Sequence, residues 1–281
     1  MAGIDVRLPW DSQPQEEVGA DLNGSLATAI FSGFVGSSAA DFKYGTPWVK
    51  TGTVSTSATS KGLAFNAAAG TNYLSQPRGI SSTTFSAVAL FRISSGATYR
   101  GILSATSGAV RCELFVDNSG KAGVSGNGFF QVSAAATRFD DGAWHTIYGG
   151  FDGTNRFLWV DGVALALSAS NPTAGGVTDQ TRVGSLLDAG IVYNFPGDIA
   201  LATIFANVAP SDLSAKELHY NPWQLFAPQT IWVPVSAGGG GTAVGLATET
   251  DAAQVLAGKQ LLALGLATET DAAQVLAGKQ L

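Results

Sequence analysis

Short apolar stretches broken by Gly, Ser, Asn and Asp recur along most of the chain, from about residue 21 to residue 228. Residues 85–91 and 111–116 are two such stretches, each bounded by turn-forming residues. Apolar runs of this length between turn signals are typical of β-strands. The pattern therefore predicts many short strands and little helix.

The strand pattern is clearest between residues 144 and 167. Asp161-Gly162 is a two-residue hairpin signal, because Gly tolerates the positive φ that a type I′ turn requires. Asp152–Asn155 is predicted as the preceding turn. The three segments separated by these turns are predicted as an antiparallel meander, with strands at 144–148, 156–160 and 163–167.

One helix is predicted, at residues 211–219. Ser211 suits the N-cap position, Leu213 and Leu218 are expected to face one side, and Asn221-Pro222 ends the helix. Many strands at this spacing with one late helix predict an all-β fold, an antiparallel sandwich of jelly-roll type with one short C-terminal helix.

The C-terminal segment has a different pattern from the rest of the chain. Residues 238–241 are four consecutive glycines, and residues 242–261 are repeated at 262–281 with changes only at the first and third positions. Each repeat alternates like a strand, which we favour, but its second half also fits a short helix. We predict four segments, namely an arm (1–20), a sandwich (21–228), a strand with a glycine hinge (229–241) and two repeats (242–281).

Composition narrows the classes of function. With 15 basic and 21 acidic residues and a pI near 4.8, the chain lacks the positive charge of a nucleic-acid-binding protein. Its single cysteine excludes a disulfide framework and a cysteine-based zinc site. The first residues have no signal-peptide pattern, and no run of 18 apolar residues predicts a membrane span.

Several motifs between residues 141 and 228 resemble the laminin-G-like, concanavalin A-type jelly-roll family. These motifs are Asp141-Gly-Ala-Trp-His145, Phe157-Leu-Trp-Val-Asp-Gly162, Pro196-Gly-Asp-Ile-Ala200 and Ala209-Pro-Ser-Asp-Leu213. Upstream, residues 62–66 with 72–73 resemble the early strand pair of the family, and residues 84–88 the next strand. We expect Trp144 and Trp159 to fill the space between the two sheets.

The resemblance implies a sandwich that binds glycans or protein partners, often beside a calcium ion. Asn66 and Ala200 stand where relatives frequently carry acidic residues, and calcium sites usually include several carboxylate oxygens. We therefore predict no metal site and no cofactor.

Glucanases share this fold, and their mechanism needs two carboxylates across the scissile bond. Glu113 and Asp117 have same-face spacing, but a solvated strand end explains them better. Neither His145 nor His219 has a nucleophile near it in sequence. We predict no catalytic residues and a protein that is not an enzyme.

The terminal segments resemble parts of structural proteins of tailed bacteriophages, namely residues 9–15, 221–226 and 245–251. We expect a virion protein, a head decoration or fibre, a collar or a tail-fibre component, that contacts other virion proteins and its own copies. A cement protein without a ligand stays open. The assembly contacts are predicted at Leu8, Trp10, Leu246, Val255, Leu256, Leu266, Val275 and Leu276, and a glycan-binding rim at Tyr99, Asn127, Phe129 and Tyr193, where rim packing is the alternative.

Overall fold

A computed structural model describes most of the chain up to residue 235. The described residues are 2–8, 12–14, 29–67, 71–94, 96, 98–108, 110–126, 128–172, 177–188, 191–226 and 229–235. The chain divides into two compact units, one of residues Arg7–Gln229 and one of Met1–Val6 with Thr230–Leu281. Strands β1 (Ala2–Leu8) and β20 (Gln229–Val235) pair in a two-stranded sheet.

The larger unit contains two eight-stranded antiparallel sheets. Sheet A has the order β14 (Val163–Ala164), β13 (Arg156–Val160), β12 (Trp144–Phe151), β7 (Phe85–Arg92), β19 (Asp198–Ala206), β5 (Gly62–Ala67) and β4 (Val54–Thr59), with β2 (Ile30–Val35) also paired to β19. Sheet B has the order β15 (Asn171–Pro172), β11 (Phe129–Val132), β10 (Ala122–Gly126), β9 (Val110–Val116), β8 (Arg100–Gly108), β16 (Val177–Val183), β6 (Tyr73–Gln76) and β3 (Val49–Thr51). A separate hairpin consists of β17 (Ser185–Asp188) and β18 (Ile191–Asn194). The predicted all-β antiparallel sandwich is confirmed.

The main hydrophobic core lies between the two sheets. Cys112, Leu114 and Val116 of β9 enter it from sheet B, and Ile147 and Phe91 enter it from sheet A. Alternate residues of each strand contribute because successive side chains point to opposite faces of a sheet. We call this cluster the inter-sheet core.

Sheet A is covered on both faces, which explains why β7 is apolar at almost every position. Ala87 and Ala89 face the inter-sheet core, whereas Val88 and Leu90 belong to a second apolar cluster on the opposite face. This second cluster, here called the helix-side cluster, packs beneath α1 (Asp212–Tyr220) and a 3₁₀ turn (Pro222–Leu225).

The expected position of the two tryptophans is wrong. Trp159 belongs to the helix-side cluster, where its Nε1 donates to Asp212 Oδ1 at 3.1 Å, and Trp144 packs half-buried against the same cluster. Leu158 and Val160 enter the inter-sheet core instead. The alternation of β13 therefore sends Trp159 to the other face.

The capping prediction for the helix is confirmed, but the predicted apolar face is only half right. The Ser211 hydroxyl accepts from the Ser214 N–H, so Ser211 is the N-cap of α1. Leu218 is buried with Ala215, whereas Leu213 is 67% exposed. Residues five positions apart do not share a helix face, and Ala215 and Leu218 have the i, i+3 spacing that does.

The turn prediction at Asp161-Gly162 is confirmed, with φ values of 53° and 73°. The third strand of the meander is shorter than predicted, since β14 ends at Ala164. The chain then crosses to sheet B, where Leu167 bridges Ser133. The early strand pair is also not a pair, because β5 lies in sheet A and β6 in sheet B.

The four predicted segments stay predictions. The glycine hinge and both repeats lie outside the described residues. Among the helices in the described part of the chain, none combines the length and apolarity that crossing a membrane requires.

Candidate functional site

A polar row crosses the outer face of sheet B. The register of five neighbouring strands places Ser75, Arg182, Ser104, Glu113 and Ser125 side by side. Their chain neighbours enter the inter-sheet core, so these five side chains point away from it. We call this set the polar row.

The charged groups of the polar row are buried and differ in their partners. The Glu113 carboxylate accepts from the Ser104 hydroxyl at 3.2 Å and lies 3.7 Å from Nη1 of Arg111. Nε of Arg182 donates to Gln180 Oε1 at 2.6 Å, and its guanidinium lies over the Tyr73 ring at 4.5 Å.

Arg182 retains an unused donor. Its Nη1 is buried and has no hydrogen-bond partner within the described residues, although the residue is only 8% exposed. Burial lowers the pKa of this guanidinium, while the nearby Tyr73 acts in the opposite direction. Leaving a buried donor without a partner is unfavourable, and Nη1 itself is covered by the protein.

Four aromatic rings form a cluster beside one end of the polar row. Tyr99 lies 5.9 Å from Phe115, 6.3 Å from Phe130 and 5.8 Å from Tyr193, measured between ring centroids. Burial raises the pKa of the Tyr99 hydroxyl, and the charges of Asp117 and Tyr193 add to this effect. We call these four rings the aromatic cluster.

Glycines at two positions allow the cluster to form. A Cβ on Gly123 would lie 2.3 Å from Cζ of Phe115, so the ring rests directly on the glycine backbone. A Cβ on Gly101 would lie 2.1 Å from the Leu186 nitrogen. The hairpin of β17 and β18 therefore approaches sheet B closely and brings Tyr193 to Tyr99.

The structure brings together only part of the predicted glycan-binding rim. Tyr99 and Tyr193, which are 94 positions apart in sequence, are in contact. Phe129 does not join them, since it is 44% exposed and its ring lies 5.6 Å from the Arg156 guanidinium. Asn127 lies outside the described residues.

Sequence reasoning missed Phe115 and Phe130. Phe115 lies within the apolar run Leu114-Phe115-Val116, where a core position is the simplest interpretation. The period of two through Arg111, Glu113 and Phe115 would have placed Phe115 on the polar face.

The predicted assembly contacts cannot be placed. Leu8 lies in β1, but the structure does not describe its side chain. The other predicted assembly residues lie outside the described residues, namely Trp10, Leu246, Val255, Leu256, Leu266, Val275 and Leu276.

The carboxylate pair weighed for hydrolysis is not a solvated strand end. Glu113 is 3% exposed and Asp117 is 6% exposed. Asp117 Oδ1 accepts from the backbone N–H groups of Ser119 and Lys121, each at 2.8 Å, and so shapes the turn. Both carboxylates are held by structural hydrogen bonds.

The residues at the position where the resemblance implies a calcium ion do not fit a metal. Asp198 Oδ2 accepts from Nε of Arg92 at 2.9 Å, and its Oδ1 accepts from the Asn66 amide at 2.7 Å. Ala200 offers no side-chain oxygen. Within the described residues, no three His, Cys, Asp or Glu side chains are grouped as metal ligands.

Comparison with known proteins shows similarity of fold. No protein-family model matches the sequence, and no curated protein matches it. Domain 4 of the arabinanase AbnA from Geobacillus stearothermophilus, solved with arabinotriose, has a TM-score of 0.50 at 14% identity, covering 73% of this chain and 100% of that domain. Botulinum neurotoxin type C, whose cell entry depends on two ganglioside molecules, has a TM-score of 0.52 at 10% identity, covering 70% of this chain and 52% of the neurotoxin chain. The larger unit thus has the β-sandwich fold of these two proteins.

Proposed function

We propose that this protein is a non-enzymatic, glycan-binding component of a bacteriophage virion. The ligand face is the outer face of sheet B, where the aromatic cluster adjoins the polar row. The aromatic cluster carries this proposal, because Tyr99 and Tyr193 are partly exposed and their rings lie 5.8 Å apart.

Sugars match the tyrosines of this face. The C–H groups of a pyranose ring pack on aromatic rings such as Tyr99 and Tyr193. Its hydroxyl groups exchange hydrogen bonds with the phenol hydroxyls of the same residues. Binding sites for small ligands combine apolar walls with a few placed polar groups in the same way. The saccharides named for the two fold neighbours, arabinotriose and gangliosides, support this class of ligand.

The virion setting rests on sequence resemblance. The segments at 9–15, 221–226 and 245–251 resemble bacteriophage structural proteins, and the repeat at 242–281 provides a second element for attachment. In this proposal the terminal segments join the particle, as a head decoration or fibre, a collar or a tail-fibre component, and the sandwich displays its ligand face to the host surface.

A glycan array with the full chain tests the ligand. Tyr193→Ala and Tyr99→Ala each remove one partly exposed ring of the cluster, so each is expected to weaken binding to the best saccharide about five- to tenfold. Tyr220→Ala is the matched control, since Tyr220 is 88% exposed at the end of α1 on the other side of the sandwich.

The alternatives predict different results. No binding by the wild-type chain at millimolar saccharide contradicts the ligand and favours a cement protein. Release of reducing sugar by the wild-type chain, abolished in Glu113→Gln, contradicts the non-enzymatic part of the proposal.

A further inference from the structure

A pocket of about 400 Å³ opens at the edge of the sandwich, where the chain leaves β13. The Leu165 N–H still donates to Leu158 O at 2.8 Å, but the Ser168 N–H already donates to Val132 O of sheet B. The chain after β14 thus turns away from β13 toward sheet B, and the pocket lies in the gap beside Arg156 and Phe157.

The lining combines apolar side chains with amide, hydroxyl and guanidinium groups. Leu165 and Leu167 line the pocket and pack against the inter-sheet core. Gln131, Arg156 and Ser170 supply the polar groups. Gln131 Nε2 uses one N–H on Ser168 O at 2.7 Å, which leaves its carbonyl oxygen and its second N–H.

Arg156 is a half-buried cation whose polar partners are uncharged. Its Nε donates to Phe129 O at 3.2 Å, its Nη2 donates to Gly126 O, and its Nη1 lies 3.5 Å from the Ser170 hydroxyl. No carboxylate within the described residues forms an ion pair with it. Burial lowers the pKa of this guanidinium.

The acidic group on the adjoining turn is already satisfied. Asp152 Oδ1 accepts from the backbone N–H groups of Thr154 and Asn155 at 2.7 and 2.6 Å. These bonds lower the pKa of Asp152 and hold its carboxylate in the turn. The guanidinium of Arg156 therefore keeps donor capacity for an anion from outside.

We propose that this pocket binds a carboxylate-bearing sugar residue. The carboxylate accepts hydrogen bonds from the Arg156 guanidinium. Hydrogen bonds between ionised groups are stronger than those between neutral groups. The sugar ring packs against Leu165 and Leu167, and its hydroxyl groups meet Gln131 and Ser170. This site is separate from the aromatic cluster, because neighbouring residues Phe130 and Gln131 point to opposite faces of β11. It stands whether or not the outer face of sheet B binds a glycan.

The test titrates the full chain with methyl glucuronoside and, as its neutral match, methyl glucoside, following backbone amide shifts by NMR. We expect the glucuronoside to shift the amides of Gln131 and Phe157 and to bind about tenfold more tightly than the glucoside. Arg156→Gln is expected to remove this preference. Gln131→Glu places a competing carboxylate in the pocket and is expected to remove it while Arg156 is kept.

Arg78→Gln is the control for net charge. Arg78 follows β6, which lies five strands from β11 in sheet B, and it stacks on Tyr44 at 3.7 Å.

Equal affinity for the two glycosides overturns the proposal, as does a preference that survives Gln131→Glu. Binding of acetate or of a glutamate dipeptide as tight as that of the glucuronoside also overturns it, because the sugar ring then contributes nothing. If Arg156→Gln does not fold, Gln131→Glu decides. Tyr193→Ala is expected to leave the preference for the glucuronoside intact. This variant therefore distinguishes failure of the pocket proposal from failure of the proposed function.

Discussion

His145 lies between two carboxylates at the end of sheet A. Its Nδ1 is 2.8 Å from Asp161 Oδ2, and its Nε2 is 3.0 Å from Asp141 Oδ1. The rings of Phe91 and Phe139 pack against the imidazole. This arrangement resembles a catalytic pair in outline, but it fixes the turn that follows β13.

The surroundings of His145 make stability depend on pH. Burial opposes protonation of the ring, but hydrogen bonds and charge from Asp161 and Asp141 outweigh it and raise the pKa of His145 above 6.5. A group whose pKa is higher in the folded than in the unfolded state adds its full stabilisation at pH values below the unfolded-state pKa. This stabilisation is lost as pH rises through the folded-state pKa. Burial raises the pKa of Asp161, but hydrogen bonds and charge, chiefly from His145, outweigh burial and lower this pKa. The stabilisation from Asp161 is therefore lost only as pH falls well into the acid range.

We therefore expect His145→Gln to reduce the free energy of unfolding more at about pH 5.5 than at about pH 8.5, measured by urea denaturation. Asp152→Asn is the control. The pKa of Asp152 is lowered by backbone hydrogen bonds, so its carboxylate is ionised at both pH values. A His145→Gln loss that is equal at both pH values contradicts the ion-pair account.

At the scale of elements, the sequence predicts where most strands and the helix lie, because strand length, turn residues and the cap are local properties. It does not predict which cluster a side chain joins. Trp159 and Leu158 are both large and apolar, and only the partner on each face of β13 distinguishes them. The rings of Tyr99 and Tyr193 meet because the β17–β18 hairpin packs on Gly101, and no local pattern encodes that contact.

The helix offers a matched pair of leucines. Leu218 is 1% exposed in the helix-side cluster, and Leu213 is 67% exposed on the same helix. Leu218→Ala removes buried methyl groups and is expected to cost about 2–5 kcal/mol of unfolding free energy in urea. Leu213→Ala is expected to change it by less than about 0.5 kcal/mol. Similar losses for both variants would mean that α1 does not pack as described.

At the scale of the whole molecule, the sandwich and the terminal segments have different tasks in the proposed function. In that proposal the larger unit presents the ligand face, while attachment is assigned chiefly to the repeats at 242–281. The low charge of the chain, with 13% charged residues against the usual ~25%, suits close packing against other protein surfaces.

Deletion of residues 242–281 tests the attachment. We expect the shortened chain to be absent from purified particles when it replaces the full chain during assembly, because the sequence supplies the same apolar residues twice for a bivalent attachment. The full chain carrying Leu213→Ala serves as the incorporated control. Normal incorporation of the shortened chain contradicts the assignment of the repeats.

The sequence by itself determined the all-β class, most strand positions, the Asp161-Gly162 turn and the Ser211 cap, because alternation, turn chemistry and capping act over a few residues. Tertiary structure alone decided that sheet A is covered on both faces, so that Trp159 lies beneath α1 and not between the sheets. It also decided which distant residues meet, as in the aromatic cluster, the polar row and the pocket beside Arg156. The residues of each such site come from chain segments that are far apart in sequence, so they touch only when the sandwich is folded.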